Sequence, residues 1–308
     1  MNASQPNIAL AATLAFLLLA APADFVPGSI VRIAQGTTAP LAAQALADAR
    51  VIRHPSLLRL LLRVSGKSGS IQAGTYRFEA PQNAITVSVR LVTGAYDLPP
   101  VRLTFPEGFT VREAVAQVAE AFPDISAGAF LEEAKPYEGY LFPDTYFFPA
   151  VSDTASIIAL MRANFDAKTA PLIGGALAQD ALSDTVIIAS LIEREARTLE
   201  SKRVVAGIIK NRLELDMPLQ VDAVFGYIYG RDTYSPSYAD LAVDSPYNTY
   251  THKGLPPGPI SNPGLDSLEA ALHPAQTEYL FYLTGKDGLM HYATTHVDHQ
   301  ANRKKYLD

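Results

Sequence analysis

Thr185–Leu199 reads TVIIASLIEREARTL, a stretch without glycine or proline whose apolar residues recur at helical spacing. At about 100° per residue, Ile188, Leu191, Ile192, Ala196 and Leu199 gather on one side of such a helix, and Glu195 falls among them. Glu193 turns instead toward Val186, Ser190 and Arg197 on the more polar side. A carboxyl group held against apolar neighbours resists ionisation, because loss of water penalises the charged form. A proton kept in this way is what a general acid needs. The competing reading of Glu195 is a buried carboxylate in a structural ion pair with an arginine from elsewhere, Arg203 or Arg212.

The rest of the chain bounds the chemistry this acid could serve. Its 308 residues suffice for an anchor and two domains, or for one large core. A net charge of -6 and the lack of a basic tract argue against a nucleic-acid partner. With no cysteine there is no disulfide framework, thiolate metal site or cysteine nucleophile. GxSxG, HExxH, P-loop and GxGxxG patterns in proper context are absent. His291, His296 and His299 lie in HYATTHVDH, which matches no familiar ligand spacing, and they read as surface or hydrogen-bonding histidines. Neither a metal nor a cofactor is expected.

One membrane-like run stands near the start. Ile8–Pro22, IALAATLAFLLLAAP, carries no charge, but it is short for a span of about 20 apolar residues unless counted on to Val26. Ala21-Pro22-Ala23 resembles a signal-peptide cleavage site, yet the first seven residues hold no Lys or Arg to form a basic leader. Anchor and cleaved signal both stay open on these residues.

Along the chain, Ile30–Ile33 and Ile71–Phe78 read as strands, and Ile85–Val92 alternates before Gly94 as a strand does. Leu41–Ala49 and His54–Leu62 read as helices, so residues 30–95 form a small α/β unit. VRLTFPEGFT is a strand and turn, and Val111–Phe122 is a helix that Thr110 and Glu113 open as a capping box. Residues 137–149, YEGYLFPDTYFFP, are too rich in proline for a regular helix, and their aromatics read as packing. Helices follow at Ala155–Phe165 and Glu200–Leu215, loops fill Pro236–Gly264, and Asp266 or Ser267 caps a helix to Leu272. Tyr279–Leu283 and His291–Ala293 read as a hairpin around Lys286-Asp287-Gly288. The mixture is α+β and lacks the βαβ alternation of a doubly wound sheet.

Six motifs, taken together, resemble the YceG-like family of endolytic murein transglycosylases. They are EGYLFPDTYFF (Glu138–Phe148), ASLIEREA (Ala189–Ala196), NRLELDMPLQVD (Asn211–Asp222), YNTY (Tyr247–Tyr250), GLPPGPISNPG (Gly254–Gly264) and SLEAALHPA (Ser267–Ala275). The resemblance implies a single-pass inner-membrane anchor at residues 8–26, a LysM-like module at 30–95, a connecting region at 96–136 and a periplasmic catalytic domain at 137–308. It implies peptidoglycan glycan strands as substrate, peptidoglycan synthases as partners, and the second glutamate of the ExE pair, Glu195, as catalytic acid and base. Gln220, Asp222, Tyr247, Asn248 and Glu193 are then candidate substrate contacts, although Gln220 and Asn248 could equally bond loop backbone. One departure stands out: where the family often shows LQTDPT, this chain has LQVDAV, so Val221 lacks a hydroxyl and Ala223 a proline turn.

In the implied reaction, Glu195 protonates the oxygen between MurNAc and GlcNAc, and its carboxylate then takes the proton of the MurNAc C6 hydroxyl as that oxygen closes on C1. Two other readings compete. One is a hydrolase in which Asp222 or Glu193 activates water, and the other is a glycan-binding scaffold in which Glu195 is structural.

Overall fold

The computed structural model describes residues 20–173, 179–231 and 236–308. The apolar run that begins at Ile8 lies, up to residue 19, outside them, and among the described residues no helix is long and apolar enough to cross a membrane. The chain divides into two compact units, one running to Pro100 with Pro149–Val151, the other comprising Val101–Phe148 and Ser152–Asp308.

The first unit runs β1 (Ser29–Ile33), α1 (Ala39–Asp48), α2 (Pro55–Val64), β2 (Gly74–Phe78) and α3 (Ala84–Thr93). β1 and β2 pair antiparallel, with Ser29 opposite Phe78 and Ile33 opposite Gly74. Alternation along the strands sends Val31, Ile33, Tyr76 and Phe78 into a core completed by Leu46 of α1, Leu58 and Leu62 of α2, and Val87 and Leu91 of α3. Ile85–Val92 is therefore helical and not a strand. Two helical signals outweigh the alternation: Asn83 accepts bonds from the Ile85 and Thr86 amides at 3.0 and 2.9 Å, and the buried residues Ala84, Val87, Arg90 and Leu91 recur every three or four positions. Gly94, at φ 71°, ends the helix in the left-handed conformation that glycine tolerates. Asn83→Ala is expected to cost about 1 kcal/mol, read as a lower urea midpoint for the full chain.

The second unit starts earlier than its motifs suggested. β3 (Val101–Thr104) pairs antiparallel with the distant β4 (Thr145–Phe148), and α4 (Val111–Ala121) and α5 (Ala127–Ala134) lie between them in sequence. Residues 101–136 thus supply Phe105, Val118, Phe122 and Phe130 to a core shared with Leu141, Tyr146, Phe148 and Met161. The Thr110–Glu113 capping box is present, and most aromatics of 137–149 point inward. After α6 (Thr154–Ile173) come α7 (Gln179–Glu193), α8 (Leu199–Glu214) and α9 (Ala223–Tyr229), then a long loop and α10 (Leu265–Leu272), which packs against both α7 and α8. A hairpin of β5 (Phe281–Thr284) and β6 (Met290–Ala293) leads into α11 (His296–Tyr306), which lies against it. Among the described residues each sheet has two antiparallel strands, so the class is α+β.

Candidate active site

The helix carrying the ExE pair stops at Glu193. Beyond it the Arg194 amide bonds Leu191 O at 3.3 Å and the Glu195 amide bonds Ile192 O at 3.1 Å, a tightened turn that takes Glu195 off the helix. The cause lies four residues ahead. Thr198 and Ser201 form the capping box of α8, which needs extended backbone at Thr198 (φ -103°, ψ 151°) and so interrupts the run Thr185–Leu199. Glu195 is carried by this turn and not by the helix, so the helical face assigned to it does not hold.

Glu193 shows the consequence. One carboxylate oxygen meets Lys202 Nζ at 2.9 Å, with the two side chains only 7% and 3% exposed. The other accepts from the Gly264 amide at 2.8 Å and Ser267 Oγ at 2.7 Å, tying α7 to the start of α10. The structural ion pair weighed for Glu195 is made by Glu193. Arg203 pairs with Glu269, and Arg212 donates to the carbonyls of Leu280, Pro218 and Leu219. Neither arginine meets Glu195.

Glu195 lines a cleft of about 790 Å³ together with Gln220, Asp222, Tyr250 and Tyr282. Tyr282 Oη donates to one carboxylate oxygen at 3.0 Å, and the Ala223 amide approaches the other at 3.4 Å. Burial pushes the Glu195 carboxyl up to about 7; the Tyr282 hydrogen bond opposes the rise, the charge of Asp222 adds to it, and the Ala223 amide opposes it. The Ala223 contact comes from the departure noted above, since a proline there has no N–H to offer.

Asp222 accepts from Tyr250 Oη at 2.5 Å. Gln220 sits at φ +50°, rare for a residue with a side chain, and is gripped through its amide by Thr249 O at 3.1 Å and through its side-chain oxygen by Arg212 at 3.3 Å. The other two candidates are elsewhere. Asn248 is fully buried and donates to Leu241 O and Val243 O at 3.0 and 2.9 Å, so it braces its own loop. Tyr247 packs on the Tyr227 ring, 5.0 Å between centroids. Asn248→Ala is expected to lower the denaturant midpoint by the equivalent of about 1 kcal/mol, because two partly buried carbonyls lose their donor.

Tyr282 escaped sequence reading because it lies 87 residues from the carboxylate it touches. Strand alternation places it in a hairpin without saying what the hairpin faces. α11, which forms part of the cleft wall with His296 and His299, was not anticipated either.

A second buried acid invites comparison. Glu138, at the side of a separate cavity of about 270 Å³, is also pushed up to about 7 by burial. Its oxygens, however, accept from the Val111 amide at 3.0 and 3.2 Å and from Asn262 Nδ2 at 3.0 Å. Asn262 Oδ1 in turn accepts from the Leu141 amide at 2.9 Å. Glu138 therefore caps α4 and joins two motif segments, whereas Glu195 faces the larger cleft.

Comparison with known proteins gives a concordant picture. The model of the YceG-like family matches residues 31–305. An endolytic murein transglycosylase of Bacillus subtilis (strain 168) is 30% identical over 305 residues, covering 90% of this chain and 84% of the relative. One from Streptococcus pneumoniae serotype 2 (strain D39 / NCTC 7466) is 27% identical over 321 residues, with 90% of this chain but 58% of that longer protein aligned. Among solved structures, a putative YceG-like protein from Listeria monocytogenes superposes with a TM-score of 0.57 at 29% identity, covering 88% of this chain and 98% of the other.

Proposed function

The chain belongs to the YceG-like family, and from that premise we propose that it is an endolytic murein transglycosylase with Glu195 as the acid and base. The observation that carries the proposal is a carboxyl group that burial pushes up to about 7, held by a tyrosine hydroxyl and, among the described residues, paired with no cation, on the wall of a cleft of about 790 Å³. Protonated Glu195 gives its proton to the glycosidic oxygen as the bond from MurNAc C1 breaks through an oxocarbenium-like state. The carboxylate left behind takes the proton of the MurNAc C6 hydroxyl, whose oxygen bonds C1 and closes the 1,6-anhydro ring. Nucleophile and electrophile belong to one sugar, so proximity replaces a second catalytic carboxylate. Asp222 shares the cleft and tunes Glu195 by its charge. A hydrolase using Asp222 to activate water would leave free reducing ends, and mass spectrometry of digested glycan strands separates the two.

The state of Glu195 fixes the pH response. The reaction starts from the protonated acid, so kcat/KM falls as pH rises through about 7. Tyr282→Phe removes a hydrogen bond that favours the carboxylate and moves this limb to higher pH. Asp222→Asn removes a repelling charge and moves it lower. The folded value lies above the ordinary 4.5, so Glu195 binds its proton more tightly when folded, and its contribution to stability declines as pH rises from about 4.5 to about 7. A pH series of kcat/KM on the three chains reads the shifts, and limbs that do not move in opposite directions defeat the assignment.

The proposal extends to location: residues 8–26 anchor the chain in the inner membrane, the catalytic unit is periplasmic, and peptidoglycan synthases work beside it. The β1–α1–α2–β2 order of the first unit supports a LysM-like, glycan-binding role for it. A soluble mature protein beginning after Ala23 overturns the anchor.

A further inference from the structure

The cleft around Glu195 is electrically lopsided. Its acids, Glu195 and Asp222, stand on the turn after α7 and at the start of α9. The opposite charge comes from Arg212 of α8 and Arg303 of α11, whose His296, His299 and Gln300 line the same cleft. Phe281, the neighbour of Tyr282 in β5, joins the two regions, for His299 stacks on its ring at 5.4 Å between centroids and His296 meets it at 5.7 Å. His299 and Arg303 are one helical turn apart and share a face.

The polar groups on this wall are not equally engaged. Arg212 spends its donors on backbone carbonyls and the Gln220 side chain. His296 is bonded to Gln300 at 3.1 Å. Among the described residues His299 Nδ1 is buried without a partner, and burial, followed by the charge of Arg303, holds that imidazole below its usual range. Among the described residues Arg303 makes no ion pair and no side-chain hydrogen bond, so it is the cation of the cleft with a free valence. A strand bearing carboxylates is repelled by Asp222 and by a chain of net charge -6. A localised guanidinium draws that carboxylate to one wall and leaves the uncharged glycosidic oxygen for Glu195.

We propose that Arg303, flanked by His299 and Gln300, binds a carboxylate carried by the glycan strand and so sets which part of the strand lies over Glu195. This rests on the glycan-cleaving reading above and adds to it a specificity residue on α11. The carboxylate has two sources, the lactyl group of MurNAc or the peptide attached to it.

The test compares the full chain with its Arg303→Gln and Arg303→Lys variants on three strand preparations: peptide-bearing, peptide-free with the lactyl carboxylate exposed, and peptide-free with that carboxylate converted to a methylamide. Arg303→Gln is expected to raise KM about tenfold on a charged strand, the scale of one charge-assisted contact, with kcat unchanged. Arg303→Lys should recover part of the loss, and the methylamide strand should bind wild type and Arg303→Gln alike. A loss confined to peptide-bearing strands names the peptide carboxylate, and a loss on peptide-free strands names the lactyl group. Equal KM for wild type and Arg303→Gln on both charged strands overturns the proposal, as does an undiminished loss on the methylamide. Titration of the same strands into Glu195→Gln chains, with and without Arg303→Gln, reads binding without turnover. Arg303-dependent binding by a wild-type chain that cuts nothing upholds the subsite while defeating the transglycosylase reading.

Discussion

Glu195→Gln should leave a folded protein that forms no 1,6-anhydro product. Glutamine keeps the size of the side chain and an oxygen for the Tyr282 hydroxyl, but it can neither give nor take the proton. General acid–base catalysis contributes roughly two to four orders of magnitude, and Glu195 serves in both halves of the reaction, so turnover should fall at least by that range while substrate binding persists. Stability should move the other way or not at all. Among the described residues no cation pairs with Glu195, so the substitution strands no buried charge, and above about pH 7 it removes a carboxylate that burial disfavours. Anhydro ends counted by mass spectrometry, beside a thermal melt at pH 8, give both quantities. An active Glu195→Gln chain, or one that is inactive because it melts early, refutes the assignment.

The second large effect belongs to the neighbouring glutamate and has the opposite character. Glu193→Gln should destabilise the chain by about 3–5 kcal/mol, because buried Lys202 loses the carboxylate that neutralises it at 2.9 Å. At 3% exposure its ammonium cannot recover water in place of the carboxylate. The Gly264 amide and Ser267 hydroxyl lose strength as well, since an amide oxygen accepts more weakly than a carboxylate. Lys202→Met should bring a comparable loss by stranding the anion. The double variant should lose less than the sum of the two, since neither charge is then unpaired. Urea titrations of the four chains measure this coupling. Per folded molecule, at a temperature below the variant's melt, Glu193→Gln should retain its catalytic rate. A normal melt with lost turnover would move the chemistry from Glu195 to Glu193.

How much of this was legible follows the range of the forces involved. Capping, turn chemistry and apolar spacing act over a few residues, so the amino-acid sequence determined the helix opened by Thr110, the β5–β6 hairpin, the inward packing of 137–149 and the α+β class. Glu195 was legible as a carboxyl removed from water, though the continuous helix that suggested it ends at Glu193, and the resemblance put Asp222 and Gln220 in the same cleft. The failures have local causes too: Asn83 outranked the alternation of Ile85–Val92, and the cap at Thr198 broke a run that looked continuous. Only the tertiary structure decided which glutamate is paired and which is poised. Lys202 approaches Glu193 from another helix, and Tyr282 approaches Glu195 across 87 residues of chain. For Asn248 the sequence left substrate contact and loop brace open and the packed loop decided for the brace, while the α11 wall that carries Arg303 was not legible at all. Ion pairing and desolvation depend on distances and burial that no spacing rule encodes, because they are set only when separate elements pack and exclude water.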